Sequence, residues 1–100
     1  MYQRNTAQNK TFAIRKLVNL KYWERRSVVE HLSDFQYLLN QLVTMKLVMN
    51  DELQSLLLLS SLPESWETLA VSLSNYAPDG ALTLSKVNDR MFNEEIRRKT

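Results

Sequence analysis

The side chains best suited to chemistry are few and badly spaced for it. His31 is the sole histidine, and it stands beside Glu30 and Asp34. An imidazole with two carboxylates could begin a metal site, but such a site needs further ligands at suitable spacing, and none follows. The residue reads as a surface histidine in the first turns of a helix. Serine, histidine and aspartate are all present, yet there is no nucleophile elbow and no Gly-rich oxyanion loop. Glu94 and Glu95 are adjacent, so on a helix they diverge by about 100° and make a poor acid/base pair. Gly80 is the only glycine, which excludes a Walker-type phosphate loop. Cysteine is absent, and with it a disulfide framework, a cysteine–zinc site and a cysteine nucleophile. The expectation is a protein that is no enzyme, with no cofactor, no metal and no small-molecule substrate.

The remaining chemistry is charge. The net charge of +2 conceals three unequal segments. Residues 1–26 carry Arg4, Lys10, Arg15, Lys16, Lys21, Arg25 and Arg26 against Glu24, a net of +6. Residues 27–83 carry Lys46 against seven acids, a net of −6, and residues 84–100 return to +2. Basic ends around an acidic middle suit contacts between copies of one chain, and they suit a polyanion. The seven basic residues of the head are the nucleic-acid candidates. Phosphates would meet Lys and Arg while Tyr22 or Trp23 stacked on a base, giving weak, nonspecific, salt-sensitive RNA binding. The plainer reading is a solvated helix face with both aromatic rings turned inward.

Helices must position these groups. One glycine, two prolines and 44% hydrophobic residues in 100 predict one all-α domain, a compact bundle of about five helices with a radius of gyration near ~13 Å. Residues 1–10 are polar and expected to fray. A first helix is predicted over about 6–20, with Phe12, Ile14, Leu17 and Val18 as its apolar positions. Residues 21–26 form a connector from which Tyr22 and Trp23 pack inward. Ser27-Val28-Val29-Glu30 has the form of a capping box. It opens a helix over about 28–46 with the stripe Val28, Leu32, Phe35, Leu39 and Leu42, widened by Val29, Leu38 and Val43. Asn50-Asp51-Glu52 starts a helix ending near Leu62, and another spans about 64–76. Ala77-Pro78-Asp79-Gly80 reads as a turn. Thr83 or Ser85 caps a last helix with Leu84, Val87, Met91, Phe92 and Ile96 inward and Arg97, Arg98 and Lys99 in its final turn. No segment reaches the ~20 apolar residues of a membrane span, so no membrane partner is expected.

Residues 56–69 concentrate the apolar character. Four successive leucines, Leu56 to Leu59, cannot share one stripe, so their helix must be wrapped by other helices or by a partner chain. Pro63 ends the run, and Trp66, Leu69, Ala70 and Leu73 resume helical spacing. These are core residues first. Leu56, Leu59, Trp66, Leu69 and Met91 are also the candidates for self-association, since a small domain rarely covers every side of a helix. A two-fold dimer is the commonest solution for an isolated unit.

Leu57-Leu58-Leu59-Ser60-Ser61-Leu62-Pro63-Glu64-Ser65-Trp66 resembles the "LL-x-SLP-x-S-[WY]" signature of Gag polyproteins from copia-type LTR retrotransposons. Ser27-Val28-Val29-Glu30-His31-Leu32 with Phe35 is similar to that family's "SV-x-EH/Y-[LI]-x-x-F" segment. Leu39, Leu42 and Asn50-Asp51-Glu52 resemble its next helix pair. Leu82-Thr83-Leu84 and Asn93-Glu94-Glu95-Ile96-Arg97-Arg98 are similar to its ending. The likeness covers roughly residues 10–98. It implies a retroviral-capsid-like helical protein that self-associates into cytoplasmic virus-like particles enclosing element RNA, with a nuclear location left open. A complete Gag of this family continues into a zinc knuckle, and its polyprotein into protease, integrase and reverse transcriptase. This chain lacks all of them and is expected to be an excised piece or a short derived copy. A nucleic-acid-binding module and a host-adopted helical adaptor are the alternatives.

Overall fold

The computed structural model describes residues 6–23, 25–76 and 82–99. Five α-helices run Ala7–Asn19 (α1), Val28–Thr44 (α2), Asp51–Ser60 (α3), Glu67–Tyr76 (α4) and Leu84–Lys99 (α5), and a 3-10 turn over Glu64–Trp66 leads into α4. No strand occurs among the described residues, so the all-α expectation is borne out. The turn expected at residues 77–80 and the basic residue Arg4 lie outside the described residues.

Each start has a local cause. The Thr6 hydroxyl accepts the Asn9 amide at 3.1 Å, so α1 begins inside the segment expected to fray. Asn50 accepts the Leu53 amide at 2.7 Å, and Thr83 accepts the Lys86 amide at 3.3 Å. Such caps satisfy amides that a helix leaves unpaired. Half of the Ser27 box forms: its hydroxyl accepts the Glu30 amide at 3.2 Å. The other half differs, because the Ser27 hydroxyl donates to the Glu30 carboxylate at 3.1 Å. The first amide of α2, on Val28, instead donates to Glu95 of α5 at 2.9 Å. Likewise the Leu84 amide of α5 donates to Asp51 of α3 at 3.0 Å. Two helix starts are thus sealed by carboxylates from other helices, where the macrodipole favours negative charge.

At its far end α2 closes with Lys46 at φ 62°. The Leu47 amide donates to Leu42 and the Lys46 amide to Val43, both at 2.9 Å. This is the Schellman arrangement with a lysine where glycine is usual.

The core joins Ala13 and Leu17 of α1, the α2 stripe, Leu58 and Leu59 of α3, Trp66, Leu69 and Leu73 around α4, and Leu82, Val87 and Met91 at α5. The molecule measures 46 × 34 × 19 Å with a radius of gyration of 14.5 Å. Its thin dimension is about two helix diameters, so helices lie two deep and several keep one face open. That explains the corrections to the expected stripes. On α1 the buried residues are Ala13 and Leu17, one turn apart, while Phe12, Ile14 and Val18 are exposed. Val29, Val43 and Ile96 also face outward.

Candidate functional site

The five residues expected to mediate self-association separate sharply. Leu59, Trp66, Leu69 and Met91 are buried in the protomer's own core, whereas Leu56 is 46% exposed. Buried side chains have no surface left for a partner, so four of the five are core residues. Leu53, one turn before Leu56 on α3, is exposed as well. Among the sequence-based candidates the accessible apolar side chain is therefore Leu56, and Leu53 joins it at i, i+3 spacing.

The joint beneath the proline corner is built around His31. This imidazole is fully buried, which corrects the expectation of a surface residue. It lies between Val28 and Phe35 on the buried face of α2, and its Nε2 is 2.8 Å from the Ser61 hydroxyl. Ser61 donates its single proton to the Leu58 carbonyl at 2.5 Å. It must therefore accept from His31, which fixes the Nε2–H tautomer. Nδ1 is left buried without a hydrogen-bond partner. Burial, reinforced by the Arg26 charge and opposed by Asp34, lowers the His31 pKa to about 4. The imidazole is thus neutral and structural at pH 7.

Tyr22 covers this histidine. Its ring meets His31 edge-on at 5.1 Å and Trp66 at 5.2 Å between centroids. The Tyr22 amide donates to the Ser61 carbonyl at 2.7 Å, and its hydroxyl donates to the Arg26 carbonyl at 2.9 Å. Trp23, the next residue, does the opposite. It is 64% exposed, which corrects the inward placement expected for it. Adjacent residues of an extended connector point to opposite sides, and Tyr22 takes the inner one.

Above the joint lies a cleft of about 380 Å³. The connector before α2 contributes Tyr22, Arg25, Arg26 and Ser27; α2 contributes Glu30; α5 contributes Glu95, Arg98 and Lys99; and Trp66 completes the wall. Arg26 bonds Asp34 at 2.5 Å and lies 3.8 Å from Glu30. Arg98 sits 4.6 Å from the Trp66 ring centroid, a cation–π distance. It also donates to Glu94 at 2.7 Å and to the Ser65 carbonyl. Glu94 accepts from Arg97 as well, at 2.6 and 3.1 Å. These two guanidiniums hold its carboxyl well below the usual carboxylate range. The divergence expected of Glu94 and Glu95 is what permits these separate roles.

The described basic residues of the head differ in setting. Lys10 is half-buried, and Arg15, Lys16, Lys21 and Arg25 are exposed. Arg15 lies 5.9 Å from the Phe12 ring centroid. Of the head's described basic residues, Arg25 and Arg26 line the cleft, as do Arg98 and Lys99 from α5. The sequence placed those last two cations at the C-terminal end of a helix, and no local signal carries them across to residue 25. Among the described residues no group of three or more His, Cys, Asp or Glu could hold a metal. Among those residues, too, no helix is long and apolar enough to cross a membrane.

Helices closed around an apolar core, with polar groups spent on caps and ion pairs, define an all-α structural class. Comparison with known proteins narrows it. The family model for the gag-polypeptide of LTR copia-type matches residues 1–100, and the chain belongs to that family. The chain is 29% identical, over 99% of its length, to the "Retrovirus-related Pol polyprotein from transposon TNT 1-94" of Nicotiana tabacum, and it spans 7% of that protein. No solved structure gives a significant match. The resemblance found in the proline-corner signature is thus borne out.

Proposed function

We propose that this chain is a non-catalytic Gag domain whose work is homotypic association. In the full-length protein it contributes to cytoplasmic virus-like particles around element RNA. The observation that carries this reading is the family match along all 100 residues. Exposed apolar side chains support it. Leu53 and Leu56 lie on one side of α3 while the other side fills the core. A rigid five-helix unit offers such a face without unfolding, so association costs little conformational entropy.

The test is light scattering across a concentration series. The apparent mass should rise from the 11.8 kDa of the protomer toward at least a dimer. A mass that stays at the protomer value at the highest concentration rejects the reading and favours an adaptor for another protein.

A further inference from the structure

We propose that the groove between α3 and α4 receives Phe12 of a second copy, while Arg15 and Lys16 of that copy pair with Glu64 and Glu67, so that copies join head to tail. This contact deepens the association reading above and rests on it. The groove is lined by half-buried Leu62, Pro63 and Ala70 and by exposed Ser60, Glu64 and Glu67. Its volume of about 310 Å³ has room for a benzyl ring, since a cavity of about 150 Å³ holds benzene. Ser60 stands one turn beyond Leu56, so the groove continues the exposed strip of Leu53 and Leu56 on α3.

The charge on this face is one-sided. From the start of α3 to the end of α4 the chain carries Asp51, Glu52, Glu64 and Glu67 and no Lys or Arg. Glu64 and Glu67 make no ion pair among the described residues. An apolar groove with two unpaired carboxylates fits a partner that is apolar and basic.

The outer side of α1 has that character. The helix carries Lys10, Arg15 and Lys16 and no acid. Phe12 is 49% exposed. Arg15 and Lys16, three and four residues further on, are exposed on the same side. The Arg15 guanidinium lies 5.9 Å from the Phe12 ring centroid, so ring and charge already stand together. Aromatic residues and arginine are the types enriched where proteins meet.

Topology sets the symmetry of the contact. Within one protomer α1 packs on α2 and α3 packs on α5, and Phe12 does not line its own protomer's groove. A two-fold contact of the α3–α4 face with itself would set carboxylates against carboxylates, which is disfavoured. Two different patches instead make a heterologous contact. Each added copy offers a new groove and a new Phe12, so growth continues into a ring or an open chain.

The experiment is a charge swap read by light scattering. Arg15→Glu with Lys16→Glu, and separately Glu64→Lys with Glu67→Lys, should each give a monomer at concentrations where the native chain associates. An equimolar mixture of the two reversed chains should associate again, because each reversed face then meets its opposite. Phe12→Ala should weaken association by about 30-fold or more, as for an anchor seated in a pocket. All five side chains are exposed, and circular dichroism checks that helicity is kept. Native-strength association in Phe12→Ala or in the α1 reversal overturns the proposal in favour of α3 meeting α3. A mixture that stays monomeric overturns it as well. A native chain that is monomeric throughout rejects the association reading itself, and this contact with it.

Discussion

Trp66 and Trp23 are the same residue in opposite circumstances, 2% and 64% exposed. Trp66 follows Pro63 in a 3-10 turn whose Trp66 amide donates to the Pro63 carbonyl at 2.9 Å. Tyr22 covers its ring edge-on and Arg98 lies over it. Trp23 is carried on a connector whose inward position Tyr22 already occupies. The contrast separates two kinds of work. Around Trp66 the apolar surface is consumed by the protomer itself. Around Trp23 and on the outer side of α3 it remains available.

The sharpest way to break this comparison is to remove each ring in turn. Trp66→Ala should cost about 3–5 kcal/mol, the range for emptying a buried aromatic site, measured by urea unfolding. Equal stabilities for Trp66→Ala and the native chain would show that the corner is not a core.

Acid should disturb the same corner next. His31 has a folded-state pKa of about 4 against about 6.5 unfolded. The unfolded chain therefore binds the extra proton between those values, and stability falls as pH drops through that window. The loss from this group approaches roughly 3 kcal/mol by pH 4. Glu94 shifts in the same direction, but its contribution is present above the ordinary Glu value and is lost only below it. Unfolding at pH 7 and pH 5 thus isolates the histidine. His31→Gln, which keeps a donor for Ser61, should remove most of that difference. A native chain equally stable at both values contradicts a buried neutral imidazole.

The smallest effect belongs to Trp23. Trp23→Ala should change stability by no more than about 0.5 kcal/mol, as for surface positions without special contacts. A larger loss would mean that the exposed ring supports the fold.

Much of this architecture was legible in local sequence. The caps at Ser27, Asn50 and Thr83 and the stripe through Val28, Phe35, Leu39 and Leu42 depend on neighbours within a few residues. The stripe even passes through His31, three residues after Val28 and four before Phe35. Its polarity concealed a burial that its spacing disclosed. The partner that makes this burial tolerable, Ser61, lies 30 residues away. Connectors have no period, so nothing local distinguishes Tyr22 from Trp23. The cap from Glu95 to Val28 spans 67 residues, and the meeting of Arg25 with Arg98 is a product of packing. The candidate cleft was accordingly half visible, as cations without an address. On α1 the error had another source: an apolar pattern signals which residues could be buried, while the number of neighbouring helices decides how many are.

The central claim is that the outer face of α3, and not the proline-corner interior, joins one copy to the next. Sedimentation equilibrium of Leu53→Ser with Leu56→Ser beside the native chain tests it most directly. The account predicts a monomeric double variant with native helicity next to a native chain that associates. Association of equal strength in both would contradict it.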